Sequence, residues 1–352
     1  MLSVRTAIFA CVILAACDGN PFVAQPEVVP PEVVVPTPNA SVSTLSGTTE
    51  PSQTAGITRT EVKGKGPEID GSAPDVYGNG YAQGFIYNEV GDTFTIDNLA
   101  FDGGNTYYRS VPLPTLGGKR GVARVYESES SYTDSQTGEN IDQLSYRALY
   151  GVSKTGRTSF AIVRTGAYRN LGFGGFVFSR KDGVVLPTKG QAQFTGAYGG
   201  VRDFDGKSGL EYTTGSVQVD IDFNDFNPND GLNGGGVRGR VENRKIFDDA
   251  GNDITATVLA DINAEKNASL TKLPAMLFVV APGSLDLNGE LEGQLDSVFR
   301  DDNGDLQDLE AGKYYAMISG PNADEMVGIL VVTSSNNGVK ARETGGFILY
   351  RP

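Results

Sequence analysis

The sequence predicts an all-β protein built from antiparallel strands, and three observations indicate this. Apolar and polar residues alternate with a period of two over residues 192–198, 217–223 and 285–295, as in strands that bury one face. Asp-Gly and Asn-Gly pairs separate such segments and are typical of tight hairpin turns. Glycine, which normally weakens a strand, recurs inside these segments. That pattern favours a small, tightly coiled barrel over a flat sandwich.

The N-terminal segment is typical of an exported bacterial lipoprotein. Arg5 supplies a positive charge, and residues 7–14 form a short apolar stretch. This stretch is too short to cross a bilayer, which needs about 20 apolar residues. It ends in a lipobox, Leu14-Ala15-Ala16-Cys17. We therefore expect a signal peptide over residues 1–16 and a lipid, such as palmitate, attached through Cys17; the alternative is an ordinary secretory signal.

The rest of the chain divides by composition into three regions. Residues 17–61 are rich in proline and then in serine and threonine, which predicts a disordered linker. Strand-like segments follow, and we expect one β domain over residues 62–187 and a second over residues 188–352. The best candidate for a helix is Asp261 to Leu270. No long apolar stretch follows the signal, so we expect no transmembrane helix.

Composition excludes several classes of function. The chain has no histidine, and its two cysteines, Cys11 and Cys17, lie inside and at the end of the signal. Histidine-based catalysis and metal binding are therefore excluded, as are disulfides, whereas carboxylate or tyrosine chemistry stays open. We expect no enzyme activity, no cofactor and no metal. The net charge of −14 argues against nucleic acid as a partner.

Two groups of residues are candidates for ligand contact. Tyrosine is concentrated in the first half of the chain and provides rigid contact area with a polar tip. The candidates there are Tyr107, Tyr108, Tyr126 and Tyr132; the alternative is that tyrosine is simply a good strand former. Arg238 and Arg240 form a basic patch on one strand face, and the alternative for these is a solvated face with local ion pairs.

Two acidic turns, residues 248–253 and 301–305, carry oxygen ligands of the kind that Ca²⁺ prefers. In the second turn Gly304 falls two places before the position at which an EF-hand loop requires glycine, and Leu306 occupies that position. Asp, Asn and Gly are also the residues that hairpin turns select. Turn formation alone therefore explains this composition.

Several segments near the C-terminus resemble a known family of surface lipoproteins. The segments are Gly190 to Tyr198, Gly215 to Phe223, Leu287 to Leu295, Gly320 to Gly328, and Gly345 to Phe347. In their order and spacing they are similar to the β-barrel of transferrin-binding protein B and of the factor H binding protein family. The resemblance covers about residues 188–352.

The resemblance implies an antiparallel handle sheet followed by an eight-stranded barrel that is filled by side chains. It also implies a monomeric, lipid-anchored envelope protein, at the outer membrane or cell surface, that binds a protein or solute without catalysis and serves in iron uptake in some relatives. One alternative is a structural envelope lipoprotein without a ligand, and another is an integral outer-membrane barrel. Asp18, directly after the lipobox, leaves the inner membrane open.

Overall fold

The computed structural model describes residues 42–44, 55–61, 82–117, 121–166, 171, 173–223, 236–279 and 285–352. These residues form one open, curled antiparallel sheet and one closed antiparallel barrel, as the sequence predicts. No helix within these ranges is long and apolar enough to cross a membrane. The lipobox residues Leu14, Ala15, Ala16 and Cys17 lie outside them.

The open sheet has ten strands in the order β1-β3-β4-β5-β7-β10-β11-β12-β2, and β6 pairs with β7. Its strands are β1 (Val42–Thr44), β2 (Ala55–Thr60), β3 (Gln83–Asn88), β4 (Thr93–Asp97), β5 (Thr106–Arg109), β6 (Thr115–Leu116), β7 (Ala123–Ser128), β10 (Tyr146–Val152), β11 (Thr158–Thr165) and β12 (Gly174–Asp182). A separate hairpin consists of β8 (Ser131–Thr133) and β9 (Asn140–Asp142).

The barrel closes through eight strands in sequence order, with the last strand pairing with the first. Its strands are β13 (Gln191–Asp205), β14 (Glu211–Asp222), β15 (Val237–Phe247), β16 (Met276–Phe278), β17 (Glu290–Arg300), β18 (Leu306–Ser319), β19 (Glu325–Asn336) and β20 (Val339–Tyr350). Helix α1 (Thr255–Lys266) lies between β15 and β16 and buries Leu259 and Ile262. The helix thus begins six residues before the predicted segment.

Apolar side chains fill the barrel, as expected from the alternating strands. Phe278 and Tyr314 stack inside it with ring centroids 4.1 Å apart. Glycine makes room for these rings, because a Cβ at Gly293 would lie only 2.5 Å from the Tyr314 hydroxyl and one at Gly239 only 2.5 Å from the Phe278 ring. The glycines inside the strands therefore allow close packing of aromatic side chains.

The convex face of the sheet packs against the outside of the barrel. A continuous apolar cluster joins sheet residues such as Phe160 and Phe178 to barrel residues such as Tyr315 and Ile329. The Arg164 guanidinium in β11 donates to the Thr344 hydroxyl in β20, also in buried surroundings. Sheet and barrel therefore share one interface core, and a second core lies on the concave face of the sheet.

The end of the predicted linker needs correction. Residues 42–44 and 55–60 form β1 and β2, the two edge strands of the sheet, whereas the sequence placed them in a disordered linker. Ile57 is fully buried, and the Arg59 guanidinium forms a buried ion pair with Glu290 in β17. The Ser/Thr/Gly composition suggested a coil, but pairing with β3 and β12 satisfies this backbone.

Candidate functional site

A cleft of about 920 Å³ opens where the sheet and the barrel diverge. Strands β5, β6, β7 and β10 contribute one wall, and β13 and β20 of the barrel contribute the other. The lining residues are Arg109, Thr115, Gly121, Val122, Ala123, Arg124, Tyr150, Gly151, Val152, Lys154, Thr195, Gly196, Ala197, Ile348, Tyr350, Arg351 and Pro352. Four of them carry positive side chains, and no Asp or Glu is among those described.

Arg109 is held in place at the sheet wall by several partners. Its Nη1 lies 2.8 Å from Asp92 Oδ2, and its Nη2 donates to the Thr115 hydroxyl at 3.1 Å. The guanidinium also lies over the Tyr126 ring, 5.5 Å from the centroid. Asp92 is fixed in turn because its Oδ1 accepts a hydrogen bond of 2.7 Å from the Tyr126 hydroxyl. Arg109 is thus preorganised before any ligand arrives.

Arg124 is held beside it by aromatic groups. Its guanidinium carbon lies 5.2 Å from the centroid of the Tyr87 ring, and Nη1 donates to the Tyr87 hydroxyl. Burial lowers the pKa of Arg124, but Tyr87, Tyr126 and Asp92 together raise it above its usual value, so this side chain stays charged. Burial also raises the pKa of Tyr87, so that its hydroxyl stays neutral.

Two further cations line the cleft, Lys154 in the turn after sheet strand β10 and Arg351 directly after barrel strand β20. The Lys154 ammonium lies 4.8 Å from the centroid of the Tyr350 ring, and the Tyr350 hydroxyl accepts from the Lys154 backbone N–H at 2.9 Å. The Arg351 backbone N–H donates to the Asp324 carbonyl, which fixes the position of this residue. In the described part of the chain, no carboxylate lies within ion-pair distance of either side chain. Both cations are therefore available to a ligand.

The predicted tyrosine contacts separate into buried and exposed residues. Tyr107 and Tyr126 are fully buried in the concave core of the sheet, and this burial excludes direct contact with a ligand. Tyr108 and Tyr132 are exposed to 49% and 43%, but they lie on different sheets and not at the cleft. Tyr126 supports the cleft indirectly, through Asp92 and Arg109.

Arg238 and Arg240 lie on the outer face of β15, away from the cleft. Arg238 Nη2 lies 3.2 Å from Asp220 Oδ2, and Arg240 Nε lies 3.5 Å from Glu242 Oε2. Both arginine side chains are about half exposed or more. Their environment is that of a solvated strand face with local ion pairs.

The acidic turns use their carboxylates within the turns. Asp301 Oδ1 accepts the backbone N–H groups of Asn303 and Asp305, and Asp248 accepts the backbone and side-chain N–H groups of Asn252. These are the hydrogen bonds of ordinary Asx turns.

The four cleft cations were not among the residues that sequence reasoning selected. They are scattered from residue 109 to residue 351 and belong to different strands and loops. No local motif joins them. The only property that could have pointed to these four cations in the sequence is weak, namely that each is a basic residue in an acidic chain.

Comparisons with known proteins add three similar structures. No protein-family model matches the sequence, and the search of curated proteins finds no match. Among solved structures, the chain is similar to a double mutant of transferrin-binding protein B from Haemophilus parasuis, with 12% identity over 65% of this chain and 37% of that one, at a TM-score of 0.33.

The second similar structure is an intact transferrin-binding protein B with N and C lobes. It is 12% identical over 76% of this chain and 44% of that one, at a TM-score of 0.33. The third is transferrin-binding protein B from Neisseria meningitidis, at 13% identity, 60% and 35% coverage, and a TM-score of 0.30. The chain spans less than half the length of these structures.

Proposed function

We propose that this chain is a lipid-anchored binding protein of the bacterial envelope that captures a ligand without chemical conversion. The observation that supports it is the cleft of about 920 Å³ between sheet and barrel, with four cations along its walls in a chain of net charge −14. Pockets of about 300–1,000 Å³ with a few fixed polar groups are typical of binding sites. The lipobox supports the anchor and the outer membrane or cell surface as the location.

The rigid connection between sheet and barrel also supports capture in this cleft. The shared apolar cluster and the Arg59–Glu290 ion pair join the sheet to the barrel, and the cleft lies between these two parts. A preformed cleft loses little conformational entropy when a ligand enters. We propose that the protein works as a monomer, since both walls come from one chain. A connection to iron uptake is part of this proposal and rests only on the resemblance of the sequence.

The anchor is tested by replacing Cys17 with alanine. In cells supplied with an alkyne-tagged palmitate analogue, we expect the wild type to be labelled and the Cys17→Ala variant to be unlabelled and released from membranes. Protease treatment of intact cells then shows on which side of the outer membrane the folded domain lies. Digestion of the folded domain places it outside the cell, and protection until the outer membrane is opened places it in the periplasm.

The binding role is tested by filling the cleft without changing its charge. Val152 lines the cleft and is 43% exposed, so Val152→Trp blocks it, whereas Val111, which is 88% exposed and is not among the lining residues, serves as the matched control. Protein extracted gently from its own envelope is examined by native mass spectrometry. We expect a bound mass on the wild type and on Val111→Trp, and none on Val152→Trp. No bound mass on any of them favours the structural lipoprotein instead.

A further inference from the structure

We propose that the cleft selects an amphiphilic polyanion, a solute with at least two acidic groups on an apolar or aromatic body. This inference rests on the proposed function and names the class of ligand for the same site. It depends on three properties of the cleft: the sign of its charge, the freedom of two of its cations, and its apolar surface.

The charge of the cleft is opposite to that of the whole chain. Arg109, Arg124, Lys154 and Arg351 line it, and among these only Arg109 has a carboxylate partner, Asp92, in the described structure. A cleft lined by one sign of charge with low-dielectric walls concentrates the field and attracts ligands of opposite sign. The surrounding acidic surface repels anions, so an acidic ligand finds its favourable position in the cleft.

The cations divide into a fixed pair and an adaptable pair. Arg109 and Arg124 are oriented by Asp92, Tyr87 and Tyr126. Planar guanidinium groups match carboxylate and phosphate oxygens, which makes such a pair a suitable receptor for one acidic group. Lys154, in the turn after sheet strand β10, and Arg351, directly after barrel strand β20, have no carboxylate partner in the described structure and can turn toward a second acidic group. Two acidic groups therefore fit this arrangement better than one.

Between the cations the walls are apolar. Val122, Ala123, Val152 and Ala197 line the cleft, together with Ile348. The Tyr350 residue at the end of β20 also lines the cleft. A highly hydrated ion would leave this surface uncovered, whereas an apolar or aromatic body would remove it from water. The volume of about 920 Å³ suits a solute and is too small for a folded protein partner.

The test uses a fluorescent probe of this chemistry, pyrene-1,3,6,8-tetrasulfonate, with fluorescence anisotropy as the readout. The protein is the mature chain with Cys17→Ser, so that no lipid is attached. The cleft variant is Lys154→Glu with Arg351→Glu. The matched control is Arg238→Glu with Arg240→Glu, which makes the same change in net charge on an exposed face outside the cleft.

We expect the wild type and the Arg238→Glu/Arg240→Glu control to bind the probe with similar affinity. The Lys154→Glu/Arg351→Glu variant should bind at least about tenfold more weakly, since a hydrogen bond to a charged group contributes about 1.5–3 kcal/mol. Neutral 1-pyrenemethanol should bind the wild type more weakly than the tetrasulfonate does. Circular dichroism confirms that each variant is folded.

Three outcomes would overturn the inference. Equal loss of affinity in both double variants would show a general effect of net charge, and unchanged affinity in the cleft variant would place the probe elsewhere. Equal binding of the neutral and the charged pyrene would show an apolar cleft without anion selectivity; the proposed capture function, tested by Val152→Trp, would then still stand. Co-sedimentation with phosphatidylglycerol vesicles, abolished by the cleft variant, would identify a lipid headgroup in place of a free solute.

Discussion

The buried ion pair between Arg59 and Glu290 connects the last residues of the predicted linker to the barrel. Arg59 Nε lies 2.8 Å from Glu290 Oε1, and Nη2 donates to Oε2 at 2.9 Å, so the two groups meet through two parallel hydrogen bonds. The side chains are only 3% and 4% exposed. Burial raises the pKa of Glu290 while Arg59 lowers it, and Glu290 also favours the charged form of the buried Arg180. Glu290 thus compensates two buried cations.

We predict that Glu290→Gln lowers the free energy of unfolding by about 3–5 kcal/mol, because it removes the negative charge that the buried Arg59 guanidinium contacts through two hydrogen bonds. Urea unfolding followed by far-ultraviolet circular dichroism measures this, since the chain has no tryptophan to report by fluorescence. The matched control is Glu242→Gln, which removes the half-exposed partner of Arg240. That change should lower stability by at most about 1 kcal/mol.

Replacing both partners of the buried pair separates charge from packing. Arg59→Met with Glu290→Leu removes both charges of the pair and should recover part of the stability that Glu290→Gln loses; the rest stays lost because the buried Arg180 no longer has the favourable charge of Glu290 nearby. A loss below about 1 kcal/mol for Glu290→Gln, equal to that of Glu242→Gln, would refute the reasoning. It would mean that β2 is not fixed on the barrel by this pair.

Three further predictions concern the core and pH. Burial raises the pKa of Asp102 to about 6. The folded state therefore binds this proton more tightly than the unfolded state, and the free energy of unfolding falls as the pH rises from about 4 to 6. At about 1.4 kcal/mol per pKa unit, the fall is at most about 3 kcal/mol. Asp102→Asn should remove this part of the pH dependence, and identical slopes of unfolding free energy against pH for both proteins would contradict it. Phe160→Ala should lower the free energy of unfolding measured with urea by about 3–5 kcal/mol, because Phe160 is fully buried between sheet and barrel. The control Val185→Ala, at a site that is 63% exposed, should change the free energy of unfolding by less than about 0.5 kcal/mol. Gly345→Ala should lower the free energy of unfolding by about 1–3 kcal/mol in the same assay, since the added Cβ would lie 2.1 Å from the Tyr198 hydroxyl. An unchanged urea midpoint would show that the barrel core can adjust to the added methyl group.

The strand faces of the barrel could be predicted because they depend on local alternation. Val217, Val219 and Ile221 are buried in the barrel core, and the polar residues between them are less buried. A strand alternates sides with every residue, so the pattern is visible in the sequence wherever one face is buried. The glycines inside the strands also predicted a tightly packed barrel, because an interior of large aromatic rings needs positions without a side chain.

The edge strands and the tyrosines could not be predicted in the same way. Strand β2 is six residues long and polar in composition, and its formation depends on pairing with β12, far along the chain. Tyr107 and Tyr108 are neighbours in β5, so one lies in the core and the other is exposed. The sequence shows two tyrosines but not which face of the sheet is covered.

The sequence by itself determined that the chain is acidic, has no histidine and is built from strands in a barrel-like pattern, and it predicted export through the lipobox motif. These properties depend on composition and on residues close together in the chain. Only the tertiary structure decided where the cleft lies and which cations line it. The cleft forms because the ends of β5, β7 and β10 lie opposite β13 and β20, and this arrangement places four cations along it: Arg109, Arg124, Lys154 and Arg351. Such pairing joins residues that are distant along the chain, and no local pattern of residues records it.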